Sequence, residues 1–252
     1  MKGSTHLLLS LLTGLVILAP LEELMHRSWP IAILLGIFFG SLAPDVDNGC
    51  GSAIFHSAIP GAKGRLFFLT PVIGYTLYFL CYKPLSIIFV GIFGQKILPK
   101  KGHRELPHSP VGIICISALL TLWIWLLCYT LSCLPSLSFL RNNLLIWIFG
   151  AAFLLGCVLH LLEDTCDNSG IHYLYPFQFH RVRGTVAGDG FDIRPKMFGA
   201  TMVVAAIALF SEFSTGRIAS SYAVWAAFLV PAALWGIFLK ISGVPAKKAT
   251  WE

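Results

Sequence analysis

Seven histidine and aspartate positions in this chain have the types and spacing to hold a metal ion. His160 and Asp164, in His160-Leu161-Leu162-Glu163-Asp164, are four residues apart, so on a helix they share one face about a turn apart. Imidazole and carboxylate together are a usual ligand set for zinc, manganese or iron. Asp45 and Asp47, in Ala43-Pro44-Asp45-Val46-Asp47-Asn48, end an apolar run at a proline, where two carboxylates can turn toward one point. His103 and His108 bracket the segment His103-Arg104-Glu105-Leu106-Pro107-His108-Ser109, and His6 opens the first apolar run. Such a set suits one or two divalent transition metals, zinc or manganese. A bound metal lowers the pKa of its water toward neutrality, which is the equipment of a hydrolase. Asp45 or Asp47 is alternatively a general base. Arg104, and further along Arg181 or Arg183, would neutralise an anionic substrate.

Apolar segments must position these groups. The chain has 252 residues, of which 56% are hydrophobic, 13% aromatic and only 12% charged, with a mean hydropathy of +0.77. A soluble domain of this size has too little interior for so much apolar surface, and a disordered chain would be far more polar. A disulfide framework does not fit either. The 7 cysteines include no C-x-x-C, and Cys81, Cys115, Cys128 and Cys157 lie inside apolar runs as small fillers. An all-α, polytopic membrane protein remains. The runs are about Thr5–Leu21, Trp29–Ala43, Leu66–Tyr82, Pro84–Leu98, Pro110–Leu134, Leu144–Leu162, Met197–Phe213 and Tyr222–Ile241. That predicts about eight transmembrane helices, or six to seven if the third and fourth, split only by Lys83-Pro84, merge or one is re-entrant. The first run has the look of a signal peptide, but it lacks a clean cleavage site and is followed by Pro20, Glu22 and Glu23, so a retained helix is expected.

The net charge of +6 is better used for orientation in a membrane than for nucleic acid, which is not expected as a partner. With the N-terminus in the cytoplasm and eight crossings, the outer loops hold only Arg27, Lys83, Arg141 and Arg217 of the 18 basic residues. Both termini then fall on the cytoplasmic side. Lys and Arg alone fix this topology, yet it places every His/Asp cluster at the cytoplasmic end of a helix. His26 falls on the outer side and reads as structural. His56, His172 and His180 are on the cytoplasmic side with less telling spacing.

The early His6, Pro44-Asp45-Val46-Asp47, His103-Arg104 with His108-Ser109, His160 with Asp164, Gly170 and Tyr175-Pro176-Phe177 together resemble the YdjM-like family of inner-membrane, metal-dependent hydrolases, also labelled LexA-binding and inner-membrane-associated. The chain departs from that pattern at Asn48, Pro107 and Asp167, where His, Thr and Thr are usual; the candidate ligands themselves are kept. The resemblance covers roughly residues 1–195, a motif-bearing membrane domain, and leaves 196–252 as two additional helices of the same bundle. It implies a metal-dependent hydrolase in the inner membrane, with membrane lipids as surroundings. The substrate expectation comes from the residues: a His/Asp metal site suits a phosphoester, and its place at headgroup height on the cytoplasmic face suits a lipid. Two rivals stand beside it. One is a transporter of a metal or proton that uses the same ionisable residues. The other is a non-catalytic membrane protein that binds a regulator through residues 163–196. Alanine at His160 separates the three: it abolishes hydrolysis or transport and spares partner binding.

Overall fold

In the computed structural model the apolar runs are helices; the structure describes residues 3–51, 69–94, 106–141, 143–177, 181–188 and 191–244. The helices are α1 (Gly3–Leu18), α2 (Ser28–Gly40), α3 (Leu69–Leu77), α4 (Lys83–Phe93), α5 (Pro110–Leu131), α6 (Asn143–Cys166), α7 (Arg194–Ser214) and α8 (Ala223–Ile241). Among the described residues there is no strand, only two isolated bridges, Asp167–Val186 and Ile171–Val182, that tie the chain after α6 to itself. The fold is an all-α, polytopic membrane protein; among the described residues 7 helices are long and apolar enough to cross a bilayer. Side chains such as Ile87, Ile92, Trp147 and Phe228 are exposed on its outside, as a lipid-facing surface requires.

The expected third and fourth spans are one helix, so the merged alternative holds and not eight separate runs. A π turn over Tyr78–Tyr82 joins α3 to α4 without a break. Pro84 has no N–H for the carbonyl of Leu80, four residues earlier. The indole of Trp123 supplies the missing donor, its Nε1–H reaching the Leu80 carbonyl at 3.2 Å. With that carbonyl satisfied from α5, a proline that reads as a boundary is carried inside a helix.

The other six helices alternate between two ends of the bundle. His6 near the start of α1, Ser41 after α2, His108 before α5 and His160 late in α6 meet at one end. The carbonyl of Ser242, just past α8, accepts from the Thr185 N–H at 2.9 Å in the loop between α6 and α7, so α8 finishes at that end too. Asp45 and His108 lie 3.5 Å apart. The chain between them therefore makes no net crossing, although the α3–α4 helix lies within it. Its last residue, Phe93, packs edge-on against Phe177, which follows α6 at the same end. The start of α1 and the finish of α8 thus share one end of the bundle.

Close packing of α2 on α6 sets the register of that end. A Cβ on Gly36 would sit 2.7 Å from the Phe149 carbonyl, and one on Gly156 would sit 2.5 Å from the Ile37 carbonyl. Small residues let the two backbones touch, the usual way helices associate where lipid supplies no hydrophobic drive. Around this seam Leu42, Val46, Leu77, Cys81, Ile113, Ile116, Phe153 and Cys157 form one core. A second core joins α1 to α7 and α8 through Leu9, Val16, Phe198, Met202, Trp235 and Phe238. There the Trp235 Nε1–H donates to Thr13 Oγ1 at 3.1 Å.

Candidate metal centre

Four helix ends deliver the polar groups, each by a local device. The α2–α6 seam puts the Ser41 carbonyl 2.7 Å from His160 Nδ1. One turn later on α6, Asp164 Oδ2 stands 3.4 Å from His160 Nε2. After α2 the chain tightens into a 3-10 segment, Ala43–Gly51, that carries Asp45 and Asp47. Before α5, Ser109 caps the helix by accepting from the Gly112 N–H at 3.1 Å, with Pro110 in the first turn. The cap holds the short Leu106–His108 turn inward, and the lack of a side chain at Gly112 admits the Leu106 carbonyl. His6, in the second turn of α1, stacks on His160 with ring centroids 4.3 Å apart.

Three imidazoles present the same atom to one place. His6 Nε2 lies 3.6 Å from Asp164 Oδ1. His108 Nε2 is 3.5 Å from both Asp45 Oδ1 and Asp164 Oδ2. His160 Nε2 is 3.4 Å from Asp164 Oδ2 and 3.7 Å from Asp45 Oδ1. Each Nδ1 points away: it is hydrogen-bonded to Glu163 at 2.5 Å in His6 and to the Ser41 carbonyl in His160, and in His108 it faces Asp47 at an ion-pair distance of 3.6 Å. Two overlapping ligand groups result, His6 with His160 and Asp164, and Asp45 with His108 and His160.

The separations bear on what belongs between these atoms. A charge-assisted N–H···O bond is about 2.7–2.9 Å long. The Nε2-to-carboxylate distances of 3.4–3.7 Å are longer. Two donors each about 2.0–2.2 Å from one tetrahedral zinc-like ion stand roughly 3.3–3.6 Å apart. The donor set and its spacing fit a divalent transition metal. The His, Asp and Glu side chains are nearly all buried; Asp45, 18% exposed, is the open edge among them.

His108 lies outside the membrane-spanning helices, and its titration shows the field there. Burial works against its protonation, but the carboxylates of Asp47, Asp45 and Asp164 outweigh it and push the pKa up to about 10. The acidic groups around His108 therefore favour positive charge at this position.

The structure brings together His6, Asp45, Asp47, His108, His160 and Asp164, with Asp47 set behind His108. His103 and Arg104 lie outside the described residues, as do His56 and His180. Arg181 donates to His172 Nε2 at 3.3 Å on the loop after α6, and Arg183 is exposed; both belong to the loop surface. His26 pairs with Ser28 at 2.8 Å at the other end. Sequence reasoning missed Glu163, Ser10 and Ser41. Glu163 stands three residues after His160 and could have been drawn from the helical spacing, but its partner His6 is 157 residues away. The Ser41 contact is made by a carbonyl, which leaves no mark in sequence.

No curated relative and no solved structure matches the chain. The family described as YdjM inner membrane protein matches residues 1–243, past the motif-bearing region and across both C-terminal helices. The chain belongs to the YdjM inner membrane protein family.

Proposed function

We propose that this protein is a metal-dependent hydrolase whose centre lies at the cytoplasmic face of the inner membrane. The observation that carries the reading is the convergence of three Nε2 atoms and two carboxylates at ligand spacing. His6, His160 and Asp164, with Asp45 and His108 in the overlapping group, would hold one or two ions, zinc or manganese by the nature of the donors. When bound, it would act as a Lewis acid and activate water. The chain's own residues do the rest. Asp47 and the Ser41 carbonyl orient the imidazoles of His108 and His160. Asp45, the most exposed of the acids, stands where a substrate would arrive and is placed to accept a proton. Arg104, four residues before His108 in the sequence, would favour an anionic substrate such as a phosphoester or a lipid headgroup. The excess of Lys and Arg in the segments that join the site end supports the cytoplasmic orientation.

The test is metal content and turnover of the purified protein. Wild type should retain zinc or manganese through dialysis and hydrolyse phosphoester or lipid-headgroup substrates in a chelator-sensitive way. Metal retention with no turnover across phosphoesters, lipids and peptides would move the reading to transport or scaffolding. Equal retention by Asp164→Ala would remove the metal centre altogether.

A further inference from the structure

Glu163 is a buried carboxylate inside a membrane helix, and the ligand groups do not include it. Both of its oxygens face α1. Oε2 meets His6 Nδ1 at 2.5 Å, and Oε1 accepts from Ser10 Oγ at 3.0 Å. Ser10 is one turn after His6, so a single face of α1 offers two donors to one carboxylate. An ionisable group buried this fully is costly and persists where something is gained from it. A packing contact between α1 and α6 would need no charge; small or apolar residues serve there, as Gly156 and Gly36 do between α6 and α2.

We propose that Glu163 is a positioning residue for the metal centre: it holds His6 by Nδ1 so that Nε2 faces Asp164 and the ion. The Ser41 carbonyl does the same for His160 from the opposite side. Hydrogen bonding at one ring nitrogen fixes the tautomer and ring plane and raises the basicity of the other. The His6 and His160 rings are stacked at an interplanar angle of 22°, so a rotation of His6 would also disturb the second ligand. Ser10 in turn holds the carboxylate. The inference rests on the metal-centre reading above and adds the device that orients its first ligand.

The experiment titrates detergent-purified full-length protein with Zn²⁺ and records the visible spectrum of the Co²⁺ form. The variants are Glu163→Leu, Glu163→Gln and Ser10→Ala, with thermal melts as the check on folding. Loss of an outer partner of a metal-bound histidine typically lowers affinity about 10–100-fold, and Glu163→Leu should fall in that range. Glu163→Gln keeps an acceptor for Nδ1, so it should recover much of the affinity while still shifting the Co²⁺ bands. Ser10→Ala should shift them least. A folded Glu163→Leu protein with wild-type Zn²⁺ affinity and Co²⁺ spectrum overturns the inference alone. If Glu163→Leu does not fold, unchanged affinity and spectrum in both other variants overturn it equally. Wild type that binds neither metal overturns the centre itself and the inference with it.

Discussion

The two ends of the bundle carry similar residue types in opposite states. At the site end His6, His108, His160, Glu163 and Asp164 are buried within four helix ends. At the other end Glu22, Glu23, His26 and Arg27 are exposed, and Glu212 pairs with Arg217 at 3.0 Å on the surface. That end even has a cavity of about 160 Å³, lined in part by Pro20, Glu22, Phe213 and Ser220. Acidic groups and a cavity there give water somewhere to be, and the charges stay solvated. At the site end the helices have moved the charges out of water, which is expensive unless they are paired with one another or with a metal. Burial, more than residue type, separates the two.

The largest effect should come from removing a central ligand. Asp164 faces His6, His108 and His160 at 3.6, 3.5 and 3.4 Å, so it is common to all three imidazoles. Asp164→Ala should lower Zn²⁺ affinity by more than the about 100-fold upper range of an outer partner. Equilibrium dialysis measures this directly. A loss under tenfold would mean that the buried carboxylate serves helix packing, and the contrast between the ends would lose its chemical meaning.

The second prediction tests how the site end is built. Gly156→Val would drive a side chain into the Ile37 carbonyl, 2.5 Å from its Cβ, and part α2 from α6. Overpacking of this kind costs about 1–3 kcal/mol. The same displacement pulls the Ser41 carbonyl off His160, so Zn²⁺ affinity should fall although no ligand has changed. Melting temperature and metal titration on one sample check both parts. Lower stability with intact affinity would show that the seam supports the bundle but not the site.

How far the sequence revealed this arrangement follows from the range of the interactions. The pair His160 and Asp164 was readable because helical geometry alone sets their relation. The apolar runs gave the helices, and the Lys and Arg asymmetry put the His/Asp clusters on one side. The gathering of four helix ends at one point is a long-range fact, but parity made it a consequence of that side. One matter escaped, and one stood only as an alternative. The role of Glu163 depends on α1 lying against α6, which no local spacing shows. The fusion of α3 and α4 depends on Trp123, 43 residues beyond Leu80, supplying the donor that Pro84 lacks. A proline read alone signals a break; its repair comes from another helix.

A smaller effect concerns pH in metal-free protein. His108 has its pKa raised from 6.5 to about 10 in the fold. A group with a raised folded pKa contributes stability that is fully present below its unfolded value and lost as pH rises through the folded one. Chelator-treated protein should therefore melt at progressively lower temperature as pH climbs from about 7 toward 10. His108→Gln should flatten that slope. A melting temperature that rises over the same window would contradict the ion-paired state of His108.

The smallest effect sharpens the contrast from the other side. Glu22 and Glu23 line the far-end cavity, His26 follows them in the turn between α1 and α2, and all three are exposed. His26 makes only a local contact with Ser28 among the described residues. Exposed substitutions away from caps and cores usually change stability by less than about 0.5 kcal/mol. Alanine at all three should leave both melting temperature and Zn²⁺ affinity where they are in wild type. The same triple change would also remove two negative charges from the loop between α1 and α2, and that loop is not held by them; Pro20 is buried and α7 packs against the turn. A drop in Zn²⁺ affinity in this variant would mean that the ends communicate along α1, from the Ala19–Leu24 turn to His6. Burial at the site end would then be only part of what sets it apart from the other end.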